Sequence, residues 1–179
     1  MKTIMFILRL ALTLLAITAV VATALAGVNS VTAPAIAELN AQNTQAAIEA
    51  VLPGGGEEVA DFPAMELVSK VYASETGYAV QVTPGGFDNT ITMMVGVDKA
   101  GNVLGIDVIS HTETAGLGAV ADAGPPAGIA FREQFIGTSG SVSVTKDGGQ
   151  MDAITGATIT SRAVCAGVNA ALECVAQMG

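Results

Sequence analysis

The chain begins with an unbroken apolar run, ends on an apolar helical stripe, and alternates between them. Met5 to Gly27 is a long apolar run whose only charge is Arg9, which meets the roughly 20 residues that a helix needs to cross a bilayer. After Asn29-Ser30 a second helix is expected, capped by Thr32 with Pro34 in its first turn, where proline is tolerated. It carries Ala35, Ile36, Leu39, Ala46, Ile48 and Val51 and stops at Pro53-Gly54-Gly55-Gly56. The centre reads as strands: Leu67 to Ala73, Tyr78 to Val82, then Ile91, Met93, Val95 and Val97 alternating with Thr92, Met94, Gly96 and Asp98, a half-buried pattern. Lys99-Ala100-Gly101-Asn102 is a tight connection and Val103 to Ser110 returns, giving an antiparallel hairpin. Gly124 to Gly128 reads as a loop, Phe131 to Phe135 as a short helical turn, and Ser141 to Thr145 as another strand. Val164, Val168, Ala171, Leu172 and Val175 recur at spacings of three and four, one face of a helix. The expected fold is α+β: an antiparallel sheet with helices packed to one side, plus one N-terminal transmembrane helix. Three segments are expected: an anchor over 1–28, a helical stalk and linker over 29–56, and a folded domain over 57–179.

Charge gives the anchor a direction. Lys2 and Arg9 lie before the main part of the apolar block, and no basic residue follows until Lys70. The positive-inside rule then puts the N-terminus in the cytoplasm and the domain outside. Ala24-Leu25-Ala26 resembles a signal-peptide cleavage site, but the run is longer than a usual signal core, so a retained single span is expected.

A net charge of −9 excludes nucleic acid as a partner, since that needs a basic footprint. His111 is the only histidine, so multi-histidine metal centres are excluded and no metal is expected. Cys165 and Cys174 share the last helix, project from nearly opposite sides, and lack CxxC spacing; they are expected as buried small hydrophobes. Phe87 and Phe135 are likewise expected in the core.

Two stretches offer chemistry. Gly116-x-Gly118-x-x-Ala121 has the form of a dinucleotide fingerprint, but it follows a hairpin strand and no acidic residue stands about 20 positions on. That reading is rejected. Asp152-Ala153-Ile154-Thr155-Gly156-Ala157-Thr158-Ile159-Thr160-Ser161 runs straight into the last helix. Taken alone, Thr155 or Thr158 is a helix cap or part of an anion site at the helix N-terminus.

Val95-Gly96-Val97-Asp98, Ser110-His111-Thr112-Glu113-Thr114-Ala115-Gly116-Leu117-Gly118 and Asp152-Ala153-Ile154-Thr155-Gly156-Ala157-Thr158 together resemble the FMN-binding domain shared by the G subunit of the Rnf electron-transport complex and the C subunit of the sodium-translocating NADH:quinone reductase. The likeness covers most of the chain, including the single span. It implies FMN held covalently by a phosphoester to Thr158, made by a flavin transferase that uses FAD as donor. By the same resemblance Thr155, Gly156 and Ala157 bend the backbone toward the phosphate, and Asp152 belongs to the motif the transferase reads. Thr112, Glu113, Thr114, Leu117 and Gly118 are implied to line the isoalloxazine and ribityl chain, with His111 orienting the loop, touching the cofactor or simply packing. The family commonly has proline where Ala115 stands, a local departure.

The implied function is that of a membrane-anchored electron carrier, the G subunit of an Rnf-type complex that passes electrons from ferredoxin to NAD with sodium or proton translocation. Its partners are the other membrane and peripheral subunits, and no catalytic acid or nucleophile is expected from the chain. The C subunit of the quinone reductase, typically longer, a stand-alone extracytoplasmic FMN carrier, and a non-redox assembly protein are the alternatives.

Overall fold

The computed structural model describes residues 2–178, which divide into two compact units between Gln42 and Asn43. Helix α1 spans Lys2–Val51. Leu8, Leu12, Leu15, Ile17 and Leu25 on it are all exposed, and Ile4–Val51 is long and apolar enough to cross a membrane. Its polar groups satisfy themselves, as an apolar solvent demands. Thr13 and Thr23 donate to the carbonyls of Leu10 (2.9 Å) and Ala19 (2.7 Å). Ser30 and Thr32 do the same toward Gly27 and Val28, so Thr32 bonds backward within a continuing helix instead of capping a new one. Pro34 lies inside α1, where it cannot donate to the carbonyl four residues back.

In the second unit β1 (Glu57–Val59), β2 (Val68–Ala73), β3 (Gly77–Val82), β4 (Thr92–Asp98) and β5 (Val103–Ser110) form an antiparallel meander in chain order. The β4–β5 connection is tight because Asp98 organises it. One carboxylate oxygen accepts the N–H groups of Ala100 and Asn102 at 2.8 Å, and the other accepts the Asn102 side chain at 2.9 Å. Gly101 takes the left-handed φ of 84° that the turn requires. The Asn102 amide holds the Asp98 carboxyl below the usual carboxylate range.

One face of the sheet, with Val71, Val80, Met93, Val95 and Val108, packs on helix α3 (Thr158–Met178) through Val164, Val168, Ala171 and Val175. Helix α2 (Ala127–Glu133) adds Phe131, in edge-to-face contact with Phe135 at 5.6 Å. Cys165 and Cys174 are buried and unbridged. Burial pushes the Cys165 thiol up to about 11, so both cysteines act as packing groups.

The opposite face is not open to solvent. Tyr72, Ala79 and Met94 meet Ala47, Ile48, Val51 and Leu52 at the C-terminal end of α1. The expected half-buried pattern of β4 therefore becomes burial on both faces from Met93 to Val97. Gly96 makes this possible: a Cβ there would drive into the Val51 carbonyl. Gly96→Ala should cost about 1–3 kcal/mol of stability through overpacking. Chemical denaturation of the detergent-solubilised protein checks this, and an unchanged midpoint would refute the contact.

One strand that the sequence does not predict is present, and one that it predicts is absent. Strand β1 is short and acidic and carries no hydrophobic period. Ser141–Thr145 is not a sheet strand, because Asn169 on α3 takes its backbone: the side-chain amide accepts from the Val142 N–H (2.8 Å) and donates to its carbonyl (2.9 Å). Only a single bridge, Val144 to Met151, remains, followed by a 3-10 turn at Thr145–Asp147.

Candidate functional site

Three stretches far apart in sequence meet around a cleft of about 250 Å³. They are the turn after β3, the loop after β5, and the start of α3. Phe87, Leu117 and Ile159 give it apolar walls, and Glu113, Thr158 and Thr160 give it polar ones. The volume lies below the ~300 Å³ typical of small-molecule sites, so a nucleotide-sized ligand would be only partly enclosed.

Glu113 joins the three stretches. It is 8% exposed. One carboxylate oxygen accepts the N–H of Phe87 at 2.8 Å and, more weakly, that of Asp88 at 3.4 Å. The other accepts the Thr160 hydroxyl at 2.5 Å, and Thr160 is 1% exposed. Gly86 and Gly118 sit against this carboxylate, and a methyl group on either would collide with it. Gly118 is thus needed for space rather than for backbone freedom. His111 stands behind the loop: its Nδ1 accepts the Glu113 N–H (3.2 Å) and its Nε2 faces Asp122 at 3.6 Å. Orienting the loop, touching the cofactor and packing are the roles open to it, and these contacts are with the loop itself and with Asp122.

At the third stretch Gly156 has a φ of 78°, a left-handed bend that an L side chain rarely adopts. It lies against Leu117, across the mouth of the cleft. The buried Ser161 braces the bend, accepting the Ile154 N–H and donating to the Ala157 carbonyl, both at 3.0 Å. Helix α3 then starts at Thr158, with Ala157 at its cap. Among the described residues neither Thr155 nor Thr158 makes a capping bond. The first-turn N–H groups, which an α-helix cannot pair internally, therefore point from a bend free of side-chain caps. Thr158 is half-buried, and its hydroxyl accepts from the Lys146 ammonium at 3.1 Å. Beside Lys146, Asp147 is held by a two-pronged bond to Arg162 (2.7 and 2.6 Å). That guanidinium lowers the Asp147 carboxyl below its ordinary value.

The structure brings Glu113, Thr114, Leu117, Gly118, Gly156, Ala157 and Thr158 together on this cleft. Asp152 and Thr155 line a neighbouring cleft with Gly116, Phe131 and Gln134. There the Asp152 N–H donates to the Gln134 side chain at 2.7 Å, which leaves its carboxylate exposed. Thr112 is exposed and lines neither cleft. Phe87 corrects an expectation: it is 66% exposed on the cleft wall rather than in the core, while Phe135 is fully buried. Ile159, Thr160 and Lys146 also belong to the site without having been expected there. The first two follow the motif directly on the first helical turn, and that spacing is a usable signal. Lys146 carries none, because only folding brings it to Thr158. Among the described residues no group of three or more His, Cys, Asp or Glu is arranged to hold a metal ion.

Residues 86–173, which contain every residue of the first cleft, match the FMN-binding domain family. The chain is 34% identical over 195 aligned positions to the G subunit of the Na(+)-translocating ferredoxin:NAD(+) oxidoreductase complex of Acetobacterium woodii, covering 92% of this chain and 89% of that one. It is 38% identical over 112 residues to the G subunit of the ion-translocating oxidoreductase complex of Vibrio cholerae, covering 57% of this chain and 51% of the relative. The corresponding protein of Pseudomonas aeruginosa is 34% identical over 117 residues, with 63% and 55% covered. The chain thus spans about half the length of the Vibrio and Pseudomonas relatives.

Proposed function

Because the chain belongs to the family of G subunits of ion-translocating oxidoreductase complexes and carries an FMN-binding domain, we propose that it is a membrane-anchored flavoprotein electron carrier with FMN joined by a phosphoester to Thr158. The observation that carries this reading is the setting of Thr158. Its hydroxyl lies on the cleft wall, at a helix N-terminus without a side-chain cap, beside the bare bend at Gly156 and within reach of Lys146.

These residues fit the group. The first turn of α3 offers N–H donors and the positive end of the helix dipole to a phosphate. Phe87, Leu117 and Ile159 offer apolar surface to an aromatic ring, and Thr114 and Gly118 border the space between. The chemistry that a bound FMN supplies is the uptake and release of electrons. The chain's part is to hold and orient the group and to keep its apolar face against protein. Covalent attachment suits a domain outside the cytoplasm, where dissociated cofactor is lost to dilution.

The topology is part of the proposal: α1 crosses once, Lys2 and Arg9 keep its N-terminus cytoplasmic, and the FMN domain lies outside. A flavin transferase with FAD as donor loads the site, reading Asp152 on its exposed neighbouring cleft. The alignment over 89% of the Acetobacterium protein supports a place in an Rnf-type complex passing electrons between ferredoxin and NAD, with the remaining subunits as partners.

Co-expression with a flavin transferase tests the reading. The purified chain should fluoresce as flavin in a denaturing gel and gain the mass of one FMN less one water. A dark band of unmodified mass would overturn it.

A further inference from the structure

Resting on that reading of Thr158, we infer that Lys146 is the cation that binds the flavin phosphate. Three observations converge on it. Its ammonium lies 3.1 Å from the Thr158 hydroxyl. It lies in the 3-10 turn at Thr145–Asp147, and neighbouring bonds fix that turn. Asp147 next to it grips Arg162 on α3 through two hydrogen bonds, the Asp147 N–H donates to the Val144 carbonyl at 2.9 Å, and Gly148 closes the turn at a φ of 84°. Among the described residues Lys146 makes no close ion pair, although its charge is one of the causes that lower the adjacent Asp147 carboxyl. In a chain of net charge −9 with seven Lys and Arg in all, an ammonium whose hydrogen bond goes to that one hydroxyl is a specific placement.

The attachment step explains what the charge is for. The Thr158 oxygen forms a bond to the flavin-side phosphorus of FAD, the pyrophosphate P–O bond breaks, AMP leaves, and the hydroxyl proton is released to solvent or to the transferase. No electrons change hands. Negative charge stays on the phosphate oxygens throughout, and the phosphodiester keeps one charge afterwards. Lys146 donates to the threonine oxygen before the step, and its remaining N–H groups would be free to hold the phosphate oxygens. An ammonium acts here as a point charge, adding to the N–H donors of α3.

Two measurements test this. In a loading time course with FAD and transferase, followed by intact mass, Lys146→Gln should slow attachment on the order of tenfold, and Lys146→Arg should restore most of the rate. Attachment to Lys146→Gln at the wild-type rate overturns the inference while leaving the site reading intact; failure of the wild-type chain to load overturns both. To separate phosphate binding from recognition by the transferase, Thr158→Ala and Thr158→Ala/Lys146→Gln are titrated with FMN and with riboflavin, which lacks the phosphate. Loss of FMN affinity with riboflavin binding unchanged supports the assignment. Equal loss for both ligands, or none for FMN, overturns it.

Discussion

Thr158→Ala should abolish covalent flavin altogether while leaving the fold and its stability almost untouched. The loss is all-or-none because the proposed linkage has a single acceptor oxygen, and no neighbouring hydroxyl is equivalent. Thr155 lines the other cleft, the Thr160 hydroxyl is committed to Glu113, and the Ser161 hydroxyl braces the bend behind α3. Thr158→Ser keeps an oxygen in the same place and should keep the flavin. The stability arm of the experiment separates this role from an ordinary cap. Removing a threonine cap costs about 1 kcal/mol. Thr158 makes no capping bond, so Thr158→Ala should stay within about 0.5 kcal/mol of wild type, as surface substitutions usually do. A melting temperature that drops with flavin retained would make Thr158 a cap and would move the attachment point elsewhere.

How much of this was legible in the sequence follows from how local each feature is. The β4–β5 hairpin was readable because Asp98 and Gly101 set their own turn within five residues. The stripe on α3 was readable because its spacing is intrinsic to a helix. The start of α3 at Thr158 was readable because the motif's small residues and hydroxyls run straight into the apolar stripe. What failed was non-local. Nothing near Val142 announces that Asn169 will occupy its backbone in place of a neighbouring strand. Nothing around Gly96 says that Val51 covers it from the far face. Thr32 matched a cap by type, yet its hydroxyl turns back to Val28 once α1 continues past it. Phe87 was placed in the core on hydrophobicity alone, but Glu113 pulls its backbone into the cleft wall and leaves the ring outside. Glu113 itself was visible as part of a loop motif. Its contacts with Phe87 and Thr160, lying 26 and 47 positions away along the chain, were not.

Those contacts give the second large expectation. Glu113→Ala should destabilise the domain by roughly 2–3 kcal/mol, the usual cost of leaving buried donors unsatisfied. At about 2–4 °C per kcal/mol for a chain of this size, the melting point should fall by roughly 4–12 °C. The donors left behind are the Phe87 N–H and the Thr160 hydroxyl, and the gap opens between Gly86 and Gly118, neither of which has a side chain to fill it. Glu113→Gln should cost far less. Its amide oxygen can still accept from Phe87, and its NH₂ can donate to the Thr160 oxygen, which accepts once its hydroxyl turns. Flavin loading should follow the same order, near wild type for Gln and strongly reduced for Ala, because this carboxylate ties the turn carrying Phe87 to the first turn of α3. Were Glu113 instead to act chiefly by its charge on the flavin, Ala and Gln would shift the redox potential alike and leave the melting point alone. Equal melting points for wild type and Glu113→Ala would therefore remove the clasp and return Glu113 to the role of a cofactor contact.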